Sequence, residues 1–135
     1  MNQIYVDGCL GQLLDKLVVP GFNYRLFTNN LTPSRTTVIG DLSEATWAGY
    51  AAVDVLAADW LAFGVAGHHG SKLANAITFL NSSGGDVNAY GYYAIEIFTG
   101  ELAFAARFDS APVTRADGES YVVIPVLGDF SQFST

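Results

Sequence analysis

The stretch AYGYYAIEIFTGELAFAARF, at positions 89–108, constrains the fold of this chain more than any other segment. Its residues alternate between two faces, and successive side chains of a strand point to opposite sides of a sheet. The alternation predicts that Tyr93, Ile95 and Ile97 face the core, and that Tyr90 and Tyr92 face outward. Thr99-Gly100 interrupts the run and predicts a tight hairpin between two strands. On the second strand, the core face is predicted to carry Leu102, Phe104, Ala106 and Phe108.

Short segments of the same kind recur along the chain, separated by turn residues such as NSSGGD at 81–86. About seven to nine short strands at regular spacing are typical of a sandwich or barrel, either jelly-roll-like or immunoglobulin-like. We therefore predict a mainly β fold, a single β-sandwich of the jelly-roll type with one short N-terminal α-helix. The predicted strands include FNYRLFTNN, YAAVDVLA, LAFGV, LANAITFLN, NAYGYYAIEIF, ELAFAARF and SYVVIPVL.

Leucines at the i, i+3, i+4 and i+7 positions predict an amphipathic helix over about residues 8–18, with Asp7 as its N-cap and Pro20-Gly21 as its end. A second helical turn is predicted within residues 41–49, capped by Asp41 or Ser43. The 135 residues suit a single domain. It would comprise the helix at 8–18, the sandwich at 22–127 and a tail at 128–135.

Charge excludes some classes of function. Thirteen acids oppose six scattered cations, for a net charge of −7, whereas nucleic-acid binding and attachment to anionic membranes both need a basic surface.

The most apolar window, at 50–67, contains Asp54 and Asp59, which argues against a membrane span. Since the N-terminus also lacks a charged leader before its apolar run, we expect no signal peptide and synthesis in the cytosol.

The residue types that carry catalysis or bind metals are sparse. Cys9 is the single cysteine and is expected to be a small buried apolar residue. His68 and His69 are adjacent, so on a strand they would diverge, and we expect an exposed turn and no metal site. The sequence contains neither a nucleophile elbow nor a phosphate loop. We predict that the protein is not an enzyme and uses no cofactor.

Two pairs of acids remain as candidates for glycoside hydrolysis, a reaction that needs two carboxylates about 5–9 Å apart. These pairs are Asp54 with Asp59 and Glu96 with Glu101. Since ionised acids are rarely buried, we expect both glutamates to be solvated residues of a strand and a turn.

An aromatic platform for sugars is the main alternative to a purely structural role. Tyr90, Tyr92 and Tyr93, together with Trp47, Tyr50 and Trp60, could form such a platform if exposed. Aromatic residues are also favoured in strands, where they pack across the sheet, and we favour that interpretation. The candidate contacts with a partner are then Tyr90, Tyr92, His68 and His69.

Several motifs follow one another along the chain. They are a leucine-rich N-terminal helix, LFTNNLTP at 26–33, SEATWAGY at 43–50, YGYY at 90–93 and LAFAARF at 102–108. Taken in order, these motifs resemble a family of small virion proteins of tailed bacteriophages. They cover about residues 8–127 and belong to the framework of a fold, with no catalytic residues among them.

The resemblance implies a head decoration, or cement, protein with a jelly-roll-like sandwich. Such a protein binds the outside of the capsid, contacts the major capsid protein and stabilises joints between its subunits. We therefore expect a homo-oligomer, a dimer or a trimer, on the virion surface, with no direct contact to nucleic acid or membrane. The alternatives are a tail or adsorption component that binds host glycan through the tyrosines, and a carbohydrate-binding module.

Overall fold

The computed structural model describes residues 15–61, 64–66 and 69–127. The protein is mainly β, with several antiparallel sheets and a short N-terminal helix. The described ranges also contain two single-turn 3-10 helices, Ile39–Asp41 and Ala57–Asp59. The strands are β1 (Phe22–Phe27), β2 (Val53–Val55), β3 (Gly64–Ala66), β4 (His69–Leu73), β5 (Ile77–Leu80), β6 (Val87–Ala89), β7 (Gly91–Glu96), β8 (Leu102–Arg107), β9 (Val113–Arg115), β10 (Ser120–Val123) and β11 (Val126–Leu127).

The largest sheet has four antiparallel strands in the order β2-β1-β7-β8. A three-stranded sheet has the order β11-β4-β3, and two further pairs are β10-β5 and β6-β9. Strands β1 and β7 are at the centre of the largest sheet because their apolar residues can be covered on both faces. The prediction that the aromatic stretch forms two neighbouring strands of a sheet is therefore confirmed, with β7 in a central position and β8 at the edge.

The N-terminal helix ends where its turn residues predict. Residues 15–17 are helical, a turn follows, and the Gly21 amide donates to the Val18 carbonyl over 3.1 Å. Gly21 has a φ of 72°, a left-handed conformation that glycine adopts without steric cost. The earlier part of the predicted helix, with Asp7 and Cys9, lies outside the described residues.

Apolar side chains cover both faces of the four-stranded sheet. On one face, Phe22, Tyr24 and Leu26 pack with Phe79 of β5 and Tyr121 of β10 in a cluster that we call the main core. The opposite face carries a smaller cluster formed by Phe27, Leu42, Tyr93 and Ile95. The main core thus contains side chains from two separate sheets, and it holds them together by burying apolar area.

A bulge in β8 makes the predicted matching of the two hairpin strands wrong. The register pairs Ala94 with Phe104 but Ile95 with Leu102, so Ala103 is an extra residue on β8. Phe104 therefore packs against the main core, and Leu102 packs against the smaller cluster on the other face. A regular alternation would have placed Phe104 and Leu102 on the same face.

The hairpin turn is longer than the predicted Thr99-Gly100 pair. It spans residues 97–100, and the Glu96 amide donates to the Glu101 carbonyl over 2.9 Å. Gly100 has a φ of 72° and its amide donates to the Glu96 carbonyl. Because Ile97 belongs to this turn, its side chain is exposed, and its predicted place in the core is wrong.

Two loop predictions also differ from the structure. The segment AGHHGSK, expected to be a loop, contributes His69 to Lys72 to strand β4, which pairs with β3. The helical turn expected within 41–49 lies earlier, at Ile39–Asp41, where the Asp41 carboxylate accepts a hydrogen bond from the Val38 amide. Ser43 lies after this turn, and its backbone carbonyl accepts a hydrogen bond from the Thr28 amide beside the end of β1.

Candidate interaction surface

The two tyrosines predicted to face outward are both half-buried. Tyr92 packs against the main core, where its ring lies 6.1 Å from that of Tyr24 and 6.2 Å from that of Phe108. Burial raises the pKa of the Tyr92 hydroxyl, as expected for a phenol removed from water. The outward orientation predicted for Tyr92 is therefore wrong, because the face it shares with Ala94 and Phe104 is a core face.

Tyr90 lies directly before β7, and the side chain of Arg107 covers one face of its ring. The Arg107 guanidinium is 5.3 Å from the centre of its ring and also donates to the Leu31 carbonyl over 3.0 Å. Tyr90 packs against the smaller cluster, on the other side of the sheet from Tyr92. The two tyrosines therefore do not form one platform, and a role for either in partner contact stays a prediction.

The other aromatic residues of the platform hypothesis pack inside the molecule. Trp60 is buried and meets Phe22 edge to face. Trp47 donates its indole N–H to the Leu80 carbonyl and packs on Tyr121. Tyr50 stacks on Phe79 and donates its hydroxyl to Glu44 over 3.0 Å. These contacts favour the interpretation that the aromatic residues build the fold.

A chain of polar groups crosses the outer side of β1. Asn23 donates to Asp54, the Arg25 guanidinium donates to Asn23 and Glu44, and Glu44 accepts from Tyr50. The Tyr50 hydroxyl also accepts from the Leu26 amide, and burial, the largest cause, raises the pKa of Tyr50 well above its usual range. Every member has a partner within the molecule, as expected of a structural network.

The carboxylates singled out in the sequence serve local structure. Asp54 accepts from Asn23 over 2.7 Å, and Asp59 accepts from the Leu56 amide over 2.7 Å, at the start of a 3-10 helix. Glu101 is exposed and Glu96 is half-buried, so the solvation expected of Glu101 is confirmed. In the described part of the chain, no three His, Cys, Asp or Glu residues come close enough to hold a metal ion.

The histidine pair is only partly described. The backbone of His69 begins β4 and pairs with Ala66 of β3, whereas His68 lies outside the described residues. The predicted C-terminal tail at 128–135 likewise lies outside them.

The most distinctive surface feature is a row of exposed aliphatic side chains that we call the outer strip. Buried and exposed side chains alternate along residues 120–126. Tyr121, Val123 and Pro125 are buried, and the residues between them point outward. Val122 of β10 pairs with Thr78 of β5, and Val126 of β11 pairs with Leu73 of β4, so the strip runs across four strands. Its members are between 41% and 60% exposed, and they are Leu73, Leu80, Val122, Ile124 and Val126.

The outer strip was missed in the sequence because SYVVIPVL shows no polar face. A continuous apolar run is expected of a strand buried on both sides, so it gave no reason to single out Val122 or Ile124. Here one side of the run packs in the main core and the other remains exposed. The strip could have been predicted from this lack of alternation together with the low fraction of charged residues, which is only 14%.

The described residues contain no helix with the length and apolar character required to cross a bilayer.

Comparison with protein-family models, with curated proteins and with solved structures finds no match to this chain.

Proposed function

We propose that this protein is a structural component of a tailed-bacteriophage virion, and specifically a capsid decoration protein. It binds the outside of the head and stabilises contacts between major capsid protein subunits. The resemblance of its framework motifs to small phage virion proteins suggests this role, and the outer strip is the observation that supports it. Contiguous apolar patches on a protein surface mark sites of contact with other proteins.

The outer strip has the chemistry that a cement function requires. Its branched side chains contribute apolar area, and covering this area on the capsid removes it from water at about 25 cal/mol per Å². The side chains stand on strands whose opposite faces are held in the main core, so little conformational freedom is lost on binding. Many copies per particle then stabilise the assembled state, because each binds only subunits that are already joined.

The proposal includes a finer description of the fold. The sheets stack as a jelly-roll-like sandwich, with the main core between the four-stranded sheet and the β10-β5 pair. Support for this arrangement comes from the main core itself, which contains Tyr24 of β1 together with Phe79 of β5 and Tyr121 of β10.

Binding to heads tests the role of the outer strip. Virions are purified from a phage strain whose gene for this protein is deleted. They are mixed with the purified protein and sedimented. Val122→Asp and Ile124→Asp place a charge on the strip and should each weaken co-sedimentation at least tenfold, since a buried unpaired carboxylate is strongly disfavoured. Phe98→Asp is the matched control, because Phe98 is an exposed apolar residue outside the strip. Equal binding of all three variants would count against the strip as the interface.

The glycan-binding alternative has no comparable support. It depends on exposed tyrosines, and Tyr92 packs in the main core while Tyr90 lies beneath Arg107. The observations favour a surface for protein contact over one for sugar stacking.

A further inference from the structure

A groove runs along the free side of β8, and none of the outer strip residues is among those that line it. Strand β8 is the last strand of the four-stranded sheet, and within the described ranges it pairs only with β7. The groove has a volume of about 450 Å³, in the range of sites that hold ligands. It lies between two segments of the chain, Leu102 to Ala105 of β8 and a loop that includes Pro33 to Arg35 and Thr37.

The floor of the groove offers unpaired backbone groups. The Phe108 amide donates to the Tyr90 carbonyl, so the alternation of an antiparallel pair directs the backbone groups of Ala105 and Arg107 away from β7. Ala105 pairs with Tyr93 of β7, and none of the described strands lies on its other side. A six-residue edge of this kind is a template for pairing with another extended chain.

The wall of the groove is held in place by its own hydrogen bonds. The Ser34 amide donates to the Thr37 hydroxyl over 2.8 Å, and the Thr37 amide donates to the Ser34 carbonyl over 3.2 Å. The Arg107 guanidinium, through its bond to the Leu31 carbonyl, ties this loop to the end of β8. The groove is therefore built before any occupant arrives, which lowers the entropic cost of binding.

The charge of the groove indicates what would occupy it. Arg35 is exposed and is the one charged residue among the described residues that line the groove, in a chain of net charge −7. A single cation beside an open strand edge complements an acidic side chain on an incoming strand. Pro33 and Thr37 lie on the other side of this groove from β8, and a single extended segment needs less space there than the edge of a whole sheet.

We infer that this groove is a peptide-binding site, in which an extended segment of a partner protein adds to β8 and places an acidic side chain against Arg35. Backbone hydrogen bonds to β8 supply affinity, and Arg35 selects for the acid. The inference does not rest on the proposed capsid role, because it follows from the groove alone.

Selection from a displayed library of random octapeptides on the immobilised full-length protein tests the inference. Selected peptides should carry an acidic residue within a β-branched sequence. A synthetic copy of a selected peptide should then shift the NMR amide signals of Ala103, Ala105 and Arg107. No enrichment, or shifts confined to other strands, would overturn the inference.

Two variants separate the contributions of charge and backbone. Arg35→Glu should weaken binding of the selected peptide about fivefold or more, and replacing its acid with lysine should then restore affinity. Lys16→Glu changes the net charge equally at an exposed residue outside the groove and should leave binding unchanged. Ala105→Pro removes one edge N–H and should weaken binding at least tenfold without regard to peptide charge.

A second copy of this chain is the competing occupant. Pairing of two β8 edges would appear in sedimentation equilibrium as a concentration-dependent dimer that Ala105→Pro abolishes. That result would overturn the peptide assignment, as would unchanged peptide binding by Arg35→Glu. Because Arg35 is an exposed loop residue, this variant remains informative even if Ala105→Pro fails to fold.

Discussion

The ring of Phe27 fills the space beside Gly91, so that a Cβ atom at position 91 would lie 2.6 Å from its Cε1. The Ala106 carbonyl of β8 closes the other side of the same space. Both neighbours are fixed, because Phe27 is fully buried and Ala106 is paired with β7. Glycine is therefore required at the centre of the sheet by close packing.

Replacing Gly91 with alanine should destabilise the protein by about 3 kcal/mol, since added volume in a packed site forces backbone or side-chain shifts. Gly85→Ala is the matched control, because a Cβ there meets no other atom within 4 Å. The free energy of unfolding from urea titration measures both. Similar values for the two variants would contradict the close packing of Phe27 against Gly91.

Removal of the Tyr50 hydroxyl should lower the stability of the protein, whereas removal of the Tyr24 hydroxyl should not. Tyr24 is fully buried, and its hydroxyl has no hydrogen-bond partner among the described residues. Tyr24→Phe should therefore leave the free energy of unfolding unchanged or raise it by about 1 kcal/mol. Tyr50→Phe removes bonds to Glu44 and to the Leu26 amide and should lower it by about 1–2 kcal/mol. Thermal and urea unfolding of the pair would show the contrast, and a larger loss in Tyr24→Phe would refute it.

The stability of the protein should fall steeply above pH 10. Burial raises the pKa of Tyr24, Tyr93 and Tyr121 above the value near 10 that tyrosine has in an unfolded chain. Below pH 10 both states keep these protons. At higher pH the unfolded state loses them first, which costs up to about 1.4 kcal/mol per pH unit for each tyrosine.

Absorbance at 295 nm and circular dichroism should therefore report one cooperative alkaline transition. Tyr24→Phe, which removes one of the buried phenols, should shift this transition to higher pH. Ionisation of all tyrosines near pH 10 in a protein that remains folded would contradict the burial of Tyr24.

The ion pair between Lys72 and Asp15 should join the N-terminal helix to β4. The Lys72 ammonium is buried and donates to the Asp15 carboxylate over 2.9 Å. Since Asp15 itself is largely exposed, Asp15→Asn should lower the free energy of unfolding by only about 1 kcal/mol. The neighbouring exposed residue provides the control, and Lys16→Gln should change the free energy by less than about 0.5 kcal/mol. Salt should reduce the difference between the two variants, and a difference that salt leaves unchanged would argue against the pair.

The sequence predicts the elements of this fold better than their matching. Alternation correctly assigned Tyr93 and Ile95 to a buried face, because both lie in the regular part of β7. It failed for Phe104 because the single extra residue at Ala103 reverses the face of every side chain on one side of it. The alternation pattern failed for Tyr92 because β7 is covered on both faces. Tyrosine carries a polar hydroxyl and so was assigned to the outer face, although its ring packs in the main core.

The functional surfaces were harder to predict for a different reason. Val122 and Ile124 look like core residues in the sequence, and only the packing of Tyr121 and Val123 on the opposite face shows that they are exposed. The groove beside β8 depends on the approach of Arg35 to Ala105, residues far apart in the chain. Neither relationship leaves a local pattern.

The copy number of this protein in purified virions tests the central claim most directly. Quantitative mass spectrometry compares its peptides with those of the major capsid protein of the same particles. A decoration protein should be present at a copy number comparable with that of the coat protein, because it occupies repeated joints over the whole head. Its absence, or a few copies per particle, would contradict the proposed function.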